Sequence, residues 1–228
     1  MLYARMLAAY AEFLVVAIHT ILYERGIYPA EAFAPARKYN FPVKQCRHGG
    51  VCDWVLTAVG ECMRQIRAAA AAMAGGSAPN VARLAVVVLA PDTQRPLERF
   101  VFDVSGLALP PGGVAHERQT VLELDHASLD DEAGVAEQFR SCLARLVYAP
   151  ASLGRLPAGC TFTVTLEFDA GGAPAGAGDA VWIVADEQPE PGGGARAPRT
   201  RPLRNVVLGP LSFGMWVEEA AAKGKLRE

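Results

Sequence analysis

The chain reads as an α+β domain of three helices packed on a mainly antiparallel sheet of about seven strands. Three observations predict this class. Apolar residues recur at three- and four-residue steps in three long stretches, near 4–25, 51–73 and 129–147. Short β-branched or alternating runs lie between and after them, bounded by turn residues. These runs follow one another as hairpins rather than alternating singly with helices, so no parallel βαβ sheet is expected. No internal repeat is present.

In the first helix, Leu7, Tyr10, Leu14, Ala17, Ile18, Ile21 and Leu22 form the stripe, widened by Val15 and Val16. Gly26 is its expected stop. Residues 28–43 read as short extended pieces and turns around Pro29, Pro35 and Pro42, with Arg37-Lys38-Tyr39 as a solvated basic loop. The second helix follows Gly49-Gly50 and turns Val55, Val59, Cys62, Met63 and Ile66 inward. Residues 83–89 read as a strand whose continuous apolar run, 84–89, is what burial on both faces requires. A turn at 92–96 leads into a second strand, 98–104, and a loop at 105–120 follows. In the third helix, Ser128 and Asp131 suggest a capping box, and Val135, Phe139, Cys142, Leu143 and Leu146 form the buried face. Residues 160–168 alternate Phe162, Val164, Leu166, Phe168 against threonines and Glu167, the pattern of a half-buried strand.

Val181 to Gln188 is a strand that ends in Asp186-Glu187-Gln188 and releases into Pro189, Pro191 and three glycines. It reads as a fixed core handing over to an arm. Residues 189–204 read as slack, followed by two short strands at 205–208 and 212–217.

Composition sets limits on function. Of 228 residues, 51% are apolar, enough for a large core, and the net charge of -2 gives no global case for nucleic acid or membrane. Five cysteines without a C-x-x-C pair suit buried free thiols in a reducing compartment. Arg5, Glu12 and His19 interrupt the first helix, which therefore reads as core rather than as a membrane span or signal peptide.

An enzyme is not the favoured reading. The four histidines are scattered, with His19 inside an apolar helix, and neither G-x-G-x-x-G nor a Walker A loop occurs. No metal or cofactor is expected; the acidic residues 130–132 are read as the start of a helix. Arg196, Arg199, Arg201 and Arg204 fall within nine residues, but no aromatic is interleaved for base stacking, so a solvated linker is the simpler reading. A binding module fits better. Trp54, Trp182 and Trp216 are large, stiff anchors on a helix, a strand and the arm, and an arm can dock on a sheet edge.

Several segments together resemble the HORMA domain family: Glu12-Phe13-Leu14, Ala17, His19, Ile21-Leu22-Tyr23, Tyr28-Pro29, Lys38-Tyr39-Asn40 and Pro42-Val43. Gly159 to Val164, Trp182-Ile183, Ala185 to Gln188 and Val217-Glu218-Glu219 are similar to the branch that serves as the accessory subunit of translesion DNA polymerase zeta. The resemblance implies one domain over residues 1–228, with a core at 1–185 and a C-terminal safety belt at 186–228 that closes over a proline-containing peptide of the polymerase catalytic subunit. It implies a non-catalytic adaptor without a cofactor, acting in the nucleus and also the cytoplasm, in DNA damage tolerance and repair. It also implies remodelling by an AAA-type ATPase, with contact to DNA only indirect. The alternative is a nucleic-acid-binding or checkpoint-type HORMA protein in cell-cycle or meiotic control.

Site residues follow from the same resemblance. Trp54, Trp182 and Val184 would line the peptide. Arg140, Arg145 and Ala151 would form the surface for a HORMA homo- or heterodimer. Thr200, Gly214 and Trp216 would meet a second translesion polymerase, although the family has leucine, glutamine and tyrosine at these places.

Overall fold

The computed structural model describes residues 2–73, 81–107, 130–169, 198–208, 211–220 and 223. Helix α1 (Leu2–Glu24) runs through the centre. Tyr10, Phe13, Leu14, Ala17, Ile18 and Leu22 on it have no exposed surface. Its stretch Ala4–Glu24 is long and apolar enough to cross a membrane by length and composition. Here that apolar surface packs on α2 (Gly49–Met73), α3 (Asp130–Tyr148) and strand β2 (Phe41–Cys46). Gly26 ends α1 as expected. It adopts φ +62, its N–H donates to the Tyr23 carbonyl (3.0 Å), and the Ile27 N–H donates to the Leu22 carbonyl (3.0 Å). That pair of bonds is a Schellman cap, and it satisfies carbonyls the helix would otherwise leave open.

Strands β1 (Phe33–Lys38) and β2 form a hairpin. Tyr39 and Asn40 turn it with φ of 51 and 55, the left-handed pair of a type I′ turn. The expected basic loop is therefore the tip of a hairpin. Arg37 donates to Asn40 Oδ1 (2.7 Å) and Lys38 pairs with Glu12 on α1 (2.6 Å).

The main sheet holds β3 (Val81–Leu89), β4 (Pro96–Asp103), β5 (Thr161–Phe168), β6 (Arg199–Leu208) and β7 (Leu211–Glu219), in the order β5-β3-β4-β7-β6. Each neighbouring pair is antiparallel. Leu84, Val86, Val88, Phe100, Phe102, Phe213, Met215 and Val217 belong to the core shared with the helices. Ala85, Val87 and Val101 form a second, smaller cluster with Leu89 and Trp216. Burial on both faces is why residues 84–89 read as one apolar run rather than an alternation.

β6 begins earlier than the sequence suggested. The stretch 189–204 was expected as slack, yet Arg199 to Arg204 pair with β7. Pro202 sits on this edge strand, where its missing N–H breaks no interior ladder, and the register shifts between Pro202 and Arg204. The arginines are not simply solvated either: Arg204 donates to Gln138 Oε1 on α3 (2.6 Å), and Arg201 lies 3.8 Å from Glu219. Arg196, Ser128 and the strand expected at 181–185 lie outside the described residues.

A short 3-10 turn, Ser105–Leu107, carries the chain out of β4 against β7. A Cβ at Gly106 would come within 2.7 Å of the Ser212 carbonyl oxygen, so only glycine lets the two backbones approach this closely.

The five cysteines are free, and Cys46, Cys62, Cys142 and Cys160 are buried. Burial pushes the Cys62 and Cys142 thiols up to about 12, which keeps them protonated and unreactive. His19 is a satisfied core histidine: its Nδ1 accepts the Cys46 backbone N–H (3.2 Å). Burial lowers its pKa from the ordinary 6.5. The unfolded chain therefore binds more protons just below pH 6.5, so stability contributed by neutral His19 is present above that pH and falls away below it. Urea denaturation from pH 7.5 to 5.5 is expected to show that loss, and His19→Gln, which keeps an acceptor but cannot titrate, is expected to remove this part of the slope.

Candidate functional site

The two edges of the main sheet are β5 and β6. β5 pairs with β3 on one side, and its other side has no strand partner among the described residues. The chain leaves the sheet at Phe168 on this edge and returns at Arg199 on the opposite edge. In the register of the sheet Glu167 lies level with Asn205, so residues 169–198 connect points four strand spacings apart, about 19 Å at ~4.8 Å each, and about six residues (~20 Å) apart along the strands, roughly 28 Å in all. At about 3.3 Å per extended residue their length far exceeds that distance, so it also suffices to pass outside a strand laid along β5. An open edge presents a row of free N–H and C=O groups, the chemistry that accepts an added strand.

Side chains at the start of β5 make this edge more than backbone. Trp54 of α2 stands edge-on to Phe162 of β5, with centroids 4.9 Å apart and planes at 77°. Tyr28 meets the same ring from another side (6.3 Å, 85°). Trp54 remains 42% exposed, so a large apolar face is available beside the open edge. All eight residues of β5 are half-buried, which leaves part of every side chain accessible. The sequence alternation of this strand was correct, but as an edge strand neither of its faces is fully covered. Trp182 and Val184 lie outside the described residues.

The other groups fall on separate surfaces. Arg140 is partly exposed on α3 and donates to Glu137 Oε1 (2.6 Å). Arg145 and Ala151 are exposed farther along α3 and in the 3-10 turn that follows it, Ala149–Ser152. Five residues apart, Arg140 and Arg145 are rotated about 140° on the helix, so they do not share one face.

Thr200, Gly214 and Trp216 do come together. Thr200 pairs with Glu218 on β7, and Gly214, Trp216 and Glu218 alternate onto one face of the sheet. It is the face away from Phe213, Met215 and Val217. Trp216 covers Ala85, Val87 and Val101; Arg83 lies 5.5 Å from its ring centroid, and its Nε1 donates to Glu218 (2.8 Å). Gly214 is closely surrounded beside this ring: a Cβ there would meet Asn205 Oδ1 at 3.0 Å, and Asp103 Cβ and Trp216 Cζ3 at 3.7 Å.

Sequence reasoning missed a buried ionic group formed by Arg25, Glu98, Glu219 and Lys223. One signal was available. Glu98 is in phase with Phe100 and Phe102, the inward residues of β4. Among the described residues, no group of three or more His, Cys, Asp or Glu is placed to hold a metal ion.

The fold is thus a five-stranded antiparallel sheet whose last two strands lie at the edge opposite β5, packed with three helices. The model of the HORMA domain matches residues 7–177, and the chain belongs to that family. Its relatives include the human mitotic spindle assembly checkpoint protein MAD2B, 29% identical over 93% of this chain and 90% of that protein. The Schizosaccharomyces pombe DNA polymerase zeta processivity subunit is 29% identical over 92% of this chain and 91% of its own. Among solved structures, a chain of the mitotic checkpoint complex superposes with a TM-score of 0.69 at 20% identity, covering 95% of this chain and 99% of that one. Caenorhabditis elegans HTP-2 bound to a HIM-3 closure motif superposes with a TM-score of 0.60 at 14% identity, covering 95% of this chain and 91% of that one. These structural likenesses establish the fold.

Because Trp54 is half in solvent, Trp54→Ala is expected to cost only about 1 kcal/mol of stability, the size of one exposed aromatic contact. Urea denaturation checks this; a loss above about 3 kcal/mol would make the ring core rather than binding surface.

Proposed function

We propose that this chain is a non-catalytic adaptor subunit of translesion DNA polymerase zeta. It holds a proline-containing peptide of the catalytic subunit along β5, inside the segment that crosses from one edge of the sheet to the other. The observation that carries this reading is the open edge of β5 together with the return of the chain on the opposite edge. A strand added at β5 would extend the ladder, and Trp54 would pack on its apolar side chains. In this reading residues 186–228 are the belt, and Trp182 and Val184 complete the wall that Trp54 begins. The work is binding, and no step of it calls for a nucleophile, a metal or a cofactor.

Two further contacts belong to the proposal. Arg140, Arg145 and Ala151 would take part in association with a second HORMA chain. Thr200, Gly214 and Trp216 would be the face offered to a second translesion polymerase, with Gly214 giving it a different shape from the family's glutamine. Action in the nucleus follows from the polymerase assignment, as does removal of the peptide by an AAA-type ATPase. A checkpoint role is the second reading, supported by the name carried by the human, chicken and zebrafish relatives. Purification from cells with identification of the bound chains separates the two: a polymerase catalytic subunit supports the first, a checkpoint partner the second.

Trp182→Ala is expected to weaken capture of the proline-containing peptide by at least about 2 kcal/mol, roughly thirtyfold in Kd. Titration calorimetry with that peptide measures it, and unchanged affinity would sink the assignment. Arg140→Ala is expected to abolish self-association while leaving peptide affinity intact; sedimentation showing an unaltered dimer would contradict the dimer surface.

A further inference from the structure

Glu98 is a carboxylate with a fully buried side chain, on a strand that plays no part in the open edge. Arg25, just past α1, grips it with both nitrogens: Nε donates to Oε2 (2.8 Å) and Nη2 to Oε1 (2.7 Å). The same Nη2 also donates to the Gly154 carbonyl (2.7 Å). From the other side comes Lys223, beyond the end of β7, with a side chain only 4% exposed. Its Nζ donates to Glu98 Oε1 and to Glu219 Oε1 (3.0 Å). Glu219 in turn accepts the Gly154 N–H (3.0 Å). Burial alone would raise the Glu219 carboxyl; the Lys223 and Gly154 hydrogen bonds outweigh it and hold the group below the usual range.

The charges balance in a particular way. Arg25 and Glu98 belong to the body of the domain, and Glu219 and Lys223 belong to the arm. Each half holds its own ion pair, one bidentate and one at i, i+4, with the partly exposed Arg201 of the arm 3.8 Å from Glu219. We propose that Lys223 is the tongue of a reversible latch that fastens the C-terminal arm to the body, with Arg25–Glu98 as its keeper. Docking places the two pairs together and adds the Lys223–Glu98 bond. Undocking strands no buried charge on either side, since Glu98 keeps Arg25 and Lys223 keeps Glu219. A latch that left one unpaired ion behind would be close to permanent, because an uncompensated buried charge is strongly unfavourable. Gly154 ties the turn before β5 to both halves, so the latch also connects the arm to the segment that leads into the open edge.

This inference rests on reading the arm as a belt that opens, and its test uses the full chain without any peptide. Amide hydrogen exchange is followed separately in β7 (211–219) and in β3 (81–89). Exchange in β7 is expected to rise on the order of a hundredfold in Lys223→Met, the size of losing one partner of a buried ion pair, with β3 unchanged. In Glu98→Gln combined with Lys223→Met the rise is expected to be smaller than the product of the two single effects, because both act on one bond. The proposal is overturned if β7 is unaffected by Lys223→Met, if β3 accelerates equally, if the two effects multiply, or if β7 is unprotected in the unaltered chain. Peptide affinity enters none of these measurements. A failed latch therefore leaves the peptide-binding reading standing, and lost peptide capture with an intact latch points to that reading alone.

Discussion

Phe213 is the residue on which this structure turns. It belongs to the C-terminal arm, yet it is 3% exposed in the middle of the main core. Its ring lies 5.0 Å from Tyr10 and 5.7 Å from Phe13 on α1, and 6.3 Å from Phe139 on α3. Phe13 and Phe139 are themselves stacked at 4.6 Å and 11°. The core of the body is thus unfinished until the arm supplies a ring. Aromatic burial of this kind is worth several kcal/mol, which is a large share of the net stability of any domain. The arm is held by burial at Phe213, by the β4–β7 ladder, and by buried charge at Lys223 beyond the strand's end, three different kinds of interaction along one segment.

With the arm seated beside β4, β5 is left without a second strand partner among the described residues, on the side of α2. That is a consequence of where the arm goes rather than of β5 itself. Were β7 and β6 added beside β5, the edge would be paired and Trp54 would look onto the domain's own backbone. The open edge and the position of the arm are therefore one structural fact seen from two sides.

Much of this was legible in the sequence. Three helices, the β3–β4 hairpin and β5 follow from periodicity, and the buried stripe of α1 follows nearly residue by residue. β6 was half hidden, because Pro202 and three arginines look like linker; edge strands tolerate both, and sequence does not announce which strands are edges. Phe213 gave no sign of its depth, since a short strand late in the chain carries no record of which core it enters. Glu98 did give a sign, being a charge in phase with Phe100 and Phe102, and a charged residue at an inward position asks for a partner that only tertiary structure can name. Of the residues assigned by resemblance, Trp54 stands at the open edge, Thr200, Gly214 and Trp216 share a face, and Arg140 and Arg145 diverge around α3.

Gly106 carries a meaning beyond its own turn. The contact that forbids a side chain there is made by Ser212, a residue of the arm, at 2.7 Å. The restriction is therefore conditional: it exists while β7 lies beside β4 and vanishes in any arrangement that takes Ser212 elsewhere. A single methyl at this position penalises the conformation in which Ser212 lies against it. The molecule thus contains a steric reporter, a place where the choice of amino acid weighs one state of the chain against another without touching the open edge, the helix surface or the ionic group.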